Sequence, residues 1–320
     1  MSWRPRAGIG AAAARAEMLT RAREHFRERE VLEVSTPALT VTTATDPNIE
    51  SFVVSRPAGP MYLHTSPEYC MKRLLAAGYP DIYQICPVYR SGETGARHLP
   101  EFTMIEWYRR GLDLAEIIDD TVRLASRLFA KQPPATPRVL TYTQAFGQAL
   151  NIDPLIVDTD DLAALLGADQ RLRESLASDR DAWLDLAMAA HVASSFASDR
   201  LTVVTHYPAS QASLARLCPA DRRVAERFEL YRGPVELANG FVELTDAKEQ
   251  RRRFEADRAR RRARGQAVPE ADELLLEALG HGLPACAGVA MGLERVLMLD
   301  EGTADIRNVV TFMPGQTDGS

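Results

Sequence analysis

This chain is poor in cysteine, almost without lysine, and free of long apolar runs, and each scarcity excludes a class of protein. The four cysteines (Cys70, Cys86, Cys218 and Cys286) stand far apart, with no CxxC pair and no Cys/His metal spacing. A disulfide scaffold and a zinc site are both excluded as readings, and reduced thiols in the cytoplasm are expected. No uninterrupted apolar stretch approaches the roughly 20 residues that a membrane helix needs, and no apolar signal core follows Met1-Ser-Trp-Arg-Pro-Arg6. Only three lysines (Lys72, Lys131 and Lys248) appear among the 38 basic residues, and the net charge of −6 leaves no global footprint for nucleic acid. The arginine run Arg251–Arg264 has Glu255 and Asp257 interleaved at helical spacing. A solvated helix face is expected there, not an RNA patch.

What remains has the composition of a soluble globular enzyme, 46% apolar and 26% charged over 320 residues. Residues 11–30 read as a charged amphipathic helix with Met18, Leu19, Ala22 and Phe26 on one face. Short apolar runs at 31–34, 50–55, 61–64, 82–86 and 102–108 follow too closely for crossover helices, so an antiparallel sheet is expected. Helices are expected near 67–77, 113–130, 246–264 and 269–280, and a final strand and helix over 286–300. The prolines at 133, 134 and 137 mark a loop that opens a helical insertion of about 133–200; strands resume at 201–206, 224–232 and 235–243.

Two segments carry chemistry. Cys86-Pro-Val-Tyr-Arg-Ser-Gly-Glu-Thr-Gly-Ala-Arg-His-Leu-Pro-Glu-Phe-Thr-Met-Ile-Glu-Trp-Tyr108 reads as two strands joined by a polar loop; Arg90 leaves one strand, while Arg97, His98 and Phe102 close the other. Gly288-Val-Ala-Met-Gly-Leu-Glu-Arg295 is a glycine-bearing strand running into a helix. Guanidinium groups on rigid elements grip oxyanions through a planar fork. Two of them beside an aromatic describe a clamp for a bent nucleotide triphosphate. No Ser, Cys or His is arranged as a nucleophilic triad: Ser66, Cys86 and Cys286 lack partners, and His64 and His206 read as structural.

With Thr36-Pro37, these segments resemble, in order, the three signature motifs of class II aminoacyl-tRNA synthetases. Thr65-Ser-Pro-Glu68, Pro100-Glu-Phe-Thr-Met-Ile-Glu-Trp-Tyr108 and Glu236-Leu-Ala-Asn-Gly-Phe-Val-Glu243 are similar to the lysyl-tRNA synthetase branch, from about residue 12 to 313. The resemblance implies an α+β class II catalytic fold: an antiparallel six- to seven-stranded sheet flanked by helices, formed by one domain over 1–320. It also implies Arg90 and Arg295 as catalytic cations, and ATP contacts from Arg90, Ser91, Gly92, Glu93, His98, Leu99, Phe102, Glu236, Leu237, Gly292 and Arg295. Glu229 and Glu236 become Mg²⁺ ligands, a hard-oxygen site that relieves the repulsion of two carboxylates. Glu229 taken alone reads as an exposed strand acid. Ser66, Glu68, Glu106, Tyr108, Asn239, Glu243 and Ala290 surround a lysine-type substrate. Three carboxylates in one cavity are costly unless a cation joins them, and a diamino acid brings two positive charges.

The family's Asn-Glu after the motif arginine is Ser91-Gly92 here, and its Asn after the loop histidine is Leu99, so nucleotide contacts in that loop are expected to be weaker or through backbone. Motif 1 arrives at Pro37, so no anticodon-binding domain is expected ahead of it and tRNA is not an expected partner. His206-Tyr-Pro-Ala-Ser-Gln-Ala-Ser-Leu-Ala215 resembles the elongation factor P lysine ligases, short paralogues of that branch. Ala290, where tRNA-charging relatives have glycine, adds a methyl that would favour a β-shifted amino group by about 1–3 kcal/mol. A cytoplasmic homodimer that adenylates β-lysine and passes it to elongation factor P is the leading expectation. A truncated synthetase activating α-lysine for an RNA or small-molecule acceptor, and a non-catalytic amino-acid sensor, remain open.

Overall fold

The computed structural model describes residues 3–313. Helix α1 (Ile9–Arg27) buries Met18, Ala22, His25 and Phe26, a stripe at helical spacing. His25, not the expected Leu19, completes that stripe. Phe26 stacks on Tyr83 at 4.2 Å and reaches Trp107 at 5.6 Å. After β1 (Leu32–Glu33) come three short strands, β2 (Leu39–Thr40), β3 (Val53–Val54) and β4 (Met61–Leu63), which form a small sheet in the order β2-β4-β3. Helix α2 (Glu68–Ala76) leads into the long hairpin β5 (Ile82–Tyr89) and β6 (Glu101–Arg110), whose register sets Gln84 opposite Glu106 and Tyr89 opposite Glu101. Helix α3 (Leu114–Leu128) starts at a capping box in which Asp113 and Glu116 exchange backbone N–H bonds.

The chain divides into two units, Met1–Pro133 with Glu243–Ser320, and Pro134–Val242. The second unit opens with β7 (Ala135–Thr141), followed by α4 (Tyr142–Leu150), α5 (Thr159–Leu165), α6 (Gln170–Leu176) and α7 (Arg180–Ala187). Strands β8 (Arg200–Thr205), β9 (Arg227–Arg232) and β10 (Val235–Val242) complete it. Asp158, Asp169 and Asp179 each accept a backbone N–H at a helix start, which explains how an aspartate-rich segment yields a series of short helices. Those helices share a core of Tyr142, Phe146, Leu162, Trp183, Leu184 and Val192.

Strand β7 corrects the expected loop at the proline cluster. It pairs with β8 in parallel, with a register irregularity between Ala135 and Arg138 that accommodates Pro137. An edge strand tolerates proline because one row of its backbone groups needs no partner.

The first unit resumes with α8 (Ala247–Ala263), α9 (Glu273–Gly282), β11 (Cys286–Gly292) and α10 (Leu293–Asp300). Its strands run in the order β1-β5-β6-β11. The β1–β5 ladder is parallel, a second departure from the all-antiparallel expectation; β5–β6 and β6–β11 are antiparallel. Met71, Leu75, Ile82, Tyr108, Phe254 and Leu275 form a core joining α2, the hairpin, α8 and α9.

The arginine run on α8 is largely the solvated face expected from sequence, with Arg252 and Arg253 paired to Glu249 and Arg260 to Asp257. Arg261 is the exception, at 2% exposure. It donates to the carbonyls of Thr45, Asp46, Ile49 and Ala267 at 2.5–3.0 Å and meets Glu50 at 3.2 Å, fastening the loop before β3. Arg261→Ala should therefore lower stability by about 3 kcal/mol or more in denaturant melts, because several buried acceptors lose their donor at once. Exposed Arg262→Ala should stay within about 0.5 kcal/mol of wild type.

Candidate active site

Strands β5, β6 and β11 set Gln84, Glu106 and Ala290 in one cross-strand row, with Ile82, Tyr108 and Gly288 in the next. Opposed residues on adjacent strands share a sheet face, so the first row is a floor of one amide, one carboxylate and one methyl. Glu106 is 2% exposed and accepts from Ser66 Oγ at 2.7 Å and from the Tyr108 hydroxyl at 2.8 Å. Ser66 also accepts the Glu68 N–H at 3.0 Å, which starts α2 with Glu68 in its first turn. One helical turn on, Lys72 is buried, and its Nζ meets Glu68 Oε1 and Glu243 Oε2 at 2.6 Å each.

Burial pushes the Glu106 carboxyl up to about 8, with the Glu68 charge adding to the shift and the Ser66, Tyr108 and Lys72 contacts opposing it. Burial likewise raises Glu243 to about 7, against the pull of Lys72 and a Gly288 N–H. Burial works against charge on Lys72, but Glu243 and Glu68 outweigh it and hold the ammonium above its ordinary range. Gly288 is constrained by this packing: a Cβ there would meet Tyr108 Cε1 at 2.4 Å and Glu243 Oε1 at 2.5 Å.

The second group of charges has the opposite sign. Arg90 follows β5; its guanidinium lies over the Phe102 ring at 5.2 Å and approaches Glu93 at 3.4 Å, while its Nε is buried with no hydrogen-bond partner. Arg295, one turn into α10, donates Nε to the Arg97 carbonyl at 3.2 Å. Both arginines act on His98: loss of solvent first, then Arg295, Arg90 and Arg97 against Glu93, hold its imidazole below the usual histidine range. The connecting loop is tightly built. Ser91 N–H bonds the Glu50 carbonyl at 2.8 Å, and Gly92 takes φ +85°, where a side chain would be strained.

In the second unit, β9 and β10 place Glu229 opposite Asn239 and Tyr231 opposite Glu236, all on one face. The expectation that Glu229 is an exposed strand acid is corrected. It is 8% exposed, takes the hydroxyls of Tyr207 and Tyr231, and pairs with Arg227 at 2.6 Å. Arg227 also lies over the Tyr207 ring at 4.5 Å and donates to Asn239 Oδ1 at 3.2 Å. Glu236 is half-buried and Leu237 buried. Oxygen donors suit Mg²⁺, but both Glu229 oxygens already have partners, so an ion there would share them with Arg227 and the tyrosines. Among the described residues no three His, Cys, Asp or Glu groups gather as a metal site.

Within the first unit the structure gathers Ser66, Glu68, Glu106, Tyr108, Glu243 and Ala290 into one cluster, and Arg90, Glu93, His98, Phe102 and Arg295 into another. One reading changes. The acids are not unpaired, because the chain brings its own cation, Lys72. Leu99 is 3% exposed, so any nucleotide contact there falls to its backbone, in line with the expectation. Sequence reading also missed Gln84, whose buried Oε1 has no partner beside Glu106. A lysine four residues after a glutamate on a helix was the available signal for Lys72; nothing local marked Gln84. Two thiols next to the acids are held away from the reactive thiolate form: burial raises Cys86 to about 12 and Cys286 further.

Comparison with known proteins adds the family. The model for tRNA synthetases class II (D, K and N) matches residues 9–316. The chain is 44% identical over 319 residues to a protein of Klebsiella pneumoniae (strain 342) named elongation factor P–(R)-β-lysine ligase, covering 97% of each chain. It is 43% identical, with the same coverage, to a protein of that name from Salmonella paratyphi A (strain ATCC 9150 / SARB42).

The pocket geometry predicts a contrast between two glycines. Gly288→Ala should displace Tyr108 and Glu243 and cost about 1–3 kcal/mol in thermal or denaturant unfolding. Gly292→Ala should cost under about 1 kcal/mol, since its Cβ would meet nothing nearer than Arg295 Cδ at 4.0 Å.

Proposed function

The chain belongs to the class II tRNA synthetases of the D, K and N type, and from that premise we propose that it is an ATP-dependent ligase that adenylates (R)-β-lysine and transfers it to a lysine ε-amine of elongation factor P. The observation that carries the substrate class is the acid pocket. Glu68, Glu106 and Glu243 outnumber the single internal cation, and a ligand with two ammonium groups restores the balance. The acceptor rests on the names of the relatives at 43–44% identity.

Bound ATP supplies the activated phosphorus. The residues of this chain position and neutralise. Arg90, with its unsatisfied Nε, would take the substrate carboxylate and α-phosphate; Arg295 would take the γ-phosphate. Neutral His98 can line the triphosphate without competing for its charge, and Phe102 offers an aromatic face to adenine. Glu236 and Glu229 are the Mg²⁺ candidates, with Ser91, Gly92, Glu93 and Leu237 contributing nucleotide contacts and Asn239 a substrate contact. Positioning and charge neutralisation suffice for attack by a carboxylate, so no protein base is needed. We read residues 1–320 as one catalytic domain working in the cytoplasm as a homodimer. Support for the dimer comes from family membership and from exposed Leu39, Val41, Phe52 and Val53 on and around the small sheet. Among the described residues no helix is long and apolar enough to cross a membrane.

Pyrophosphate exchange with (R)-β-lysine, (S)-β-lysine and α-lysine, followed by mass analysis of elongation factor P, tests the proposal. Exchange should be strongest with (R)-β-lysine, and the factor should gain one β-lysyl group on a lysine. Exchange with none of the three would sink the reading; preference for α-lysine with a labelled RNA product would replace it. The raised Glu106 carboxyl sets a pH dependence. A cation binds the ionised form, so KM for β-lysine should fall as pH rises from about 6.5 to about 8.5, below the range where the substrate amines lose their protons. Glu106→Gln should flatten that profile and raise KM about tenfold or more.

A further inference from the structure

Lys72 is the one charged group of the acid pocket that adenylation does not call upon, yet it is the best-held. It sits on α2 one turn from Glu68 and reaches across to Glu243, with 2.6 Å contacts to both. Its side chain is 1% exposed, so no water competes for those contacts. Glu68 and Glu243 come from distant parts of the chain, and the shared ammonium sets their separation. The other titratable groups that interact with it are Glu106 on β6 and Cys286 on β11, with Tyr108 lying beside the three acids.

The charge count is specific. Three ionised carboxylates with no lysine would present three negative charges to a ligand that offers two ammonium groups once its carboxylate is taken elsewhere. With Lys72 the surplus is two. A buried surplus that matches the ligand leaves no carboxylate unpaired in the complex, whereas a mismatch leaves one buried and unsatisfied. We propose that Lys72 is a positioning residue that sets substrate-charge selectivity: it fixes Glu68 and Glu243 in place and trims the pocket's negative charge to that of a diammonium ligand. This inference rests on the proposed function and concerns how that same pocket chooses its ligand.

The test uses the full chain with Lys72→Met, Lys72→Arg and the double variant Lys72→Met/Glu243→Gln, compared by pyrophosphate exchange with (R)-β-lysine after folding is checked by thermal melting. Lys72→Met should raise KM for (R)-β-lysine about tenfold or more while KM for ATP changes less than about threefold. The excess should shrink as pH rises, because Glu243, whose charge Lys72 favours, holds its proton more tightly without that partner. Lys72→Arg should retain more of the affinity than Lys72→Met. The double variant, with two carboxylates and no internal cation, should recover about threefold or more of the lost affinity. A folded Lys72→Met with KM for (R)-β-lysine within about threefold of wild type would overturn the inference. So would a parallel rise in both KM values with no pH component, which is what a scaffold tie alone produces.

If the variants do not fold, ¹⁵N NMR of the wild-type lysine ammonium groups decides. The chain has only three lysines, so Lys72 is readily assigned. Its signal should move on adding (R)-β-lysine and stay still with ATP alone; an unmoved signal at saturating (R)-β-lysine would reject the role. Wild-type protein inactive on every diamino acid would instead count against the proposed function.

Discussion

A buried ammonium shared between two carboxylates governs this structure. Lys72, Glu68 and Glu243 form an ion group that would be prohibitive to bury in parts; removing one partner from such a group typically costs about 3–5 kcal/mol. The neighbouring elements are arranged to make it affordable. Gly288 lets Tyr108 and Glu243 close against β11, the Tyr108 hydroxyl and Ser66 satisfy Glu106, and the core of α2, α9 and the hairpin keeps water away. The fold and the proposed substrate site share the same contacts here. The tertiary packing that lets α2 sit on the sheet is what places three acids within reach of one another.

The second unit repeats the device with different chemistry. Glu229 is held by two tyrosine hydroxyls and by Arg227, which stacks on one of those tyrosines and also reaches Asn239. Each acidic cluster thus carries its own internal cation, lysine in one and arginine in the other. The choice suits the surroundings. A compact ammonium fits between two carboxylates on a helix and a loop, while a planar guanidinium suits a sheet face with aromatic neighbours. The cluster of opposite sign keeps a donor unsatisfied: Arg90 Nε is buried with no partner, and burial, followed by the arginines around it, holds His98 below the usual histidine range.

The hairpin around Arg90 and the Gly288–Arg295 strand and helix were legible because each depends on local pattern, whereas the acids at 68, 106 and 243 were singled out by the resemblance to the lysyl-tRNA synthetase branch. Alternation, turn residues and motif order survive reading one segment at a time. The errors share one cause. Strand β7 looked like a loop because its prolines are tolerated only through an edge position that β8 provides. Arg261 looked like its solvated neighbours until the loop at 45–50 was laid across α8. Gln84 gained meaning only from lying across from Glu106.

The linear order of residues was enough to point to a class II α+β catalytic unit, through motifs in the order of that family, and to single out two arginines and three acids for further reading, since periodicity and motif spacing are properties of neighbouring residues. Whether those acids stand alone or paired was settled only in three dimensions. Lys72 and Glu243 lie 171 positions apart in sequence, yet their charged atoms come within 2.6 Å. Electrostatic pairing in a dry interior follows spatial distance and burial, and neither is written in the spacing of residues along the chain.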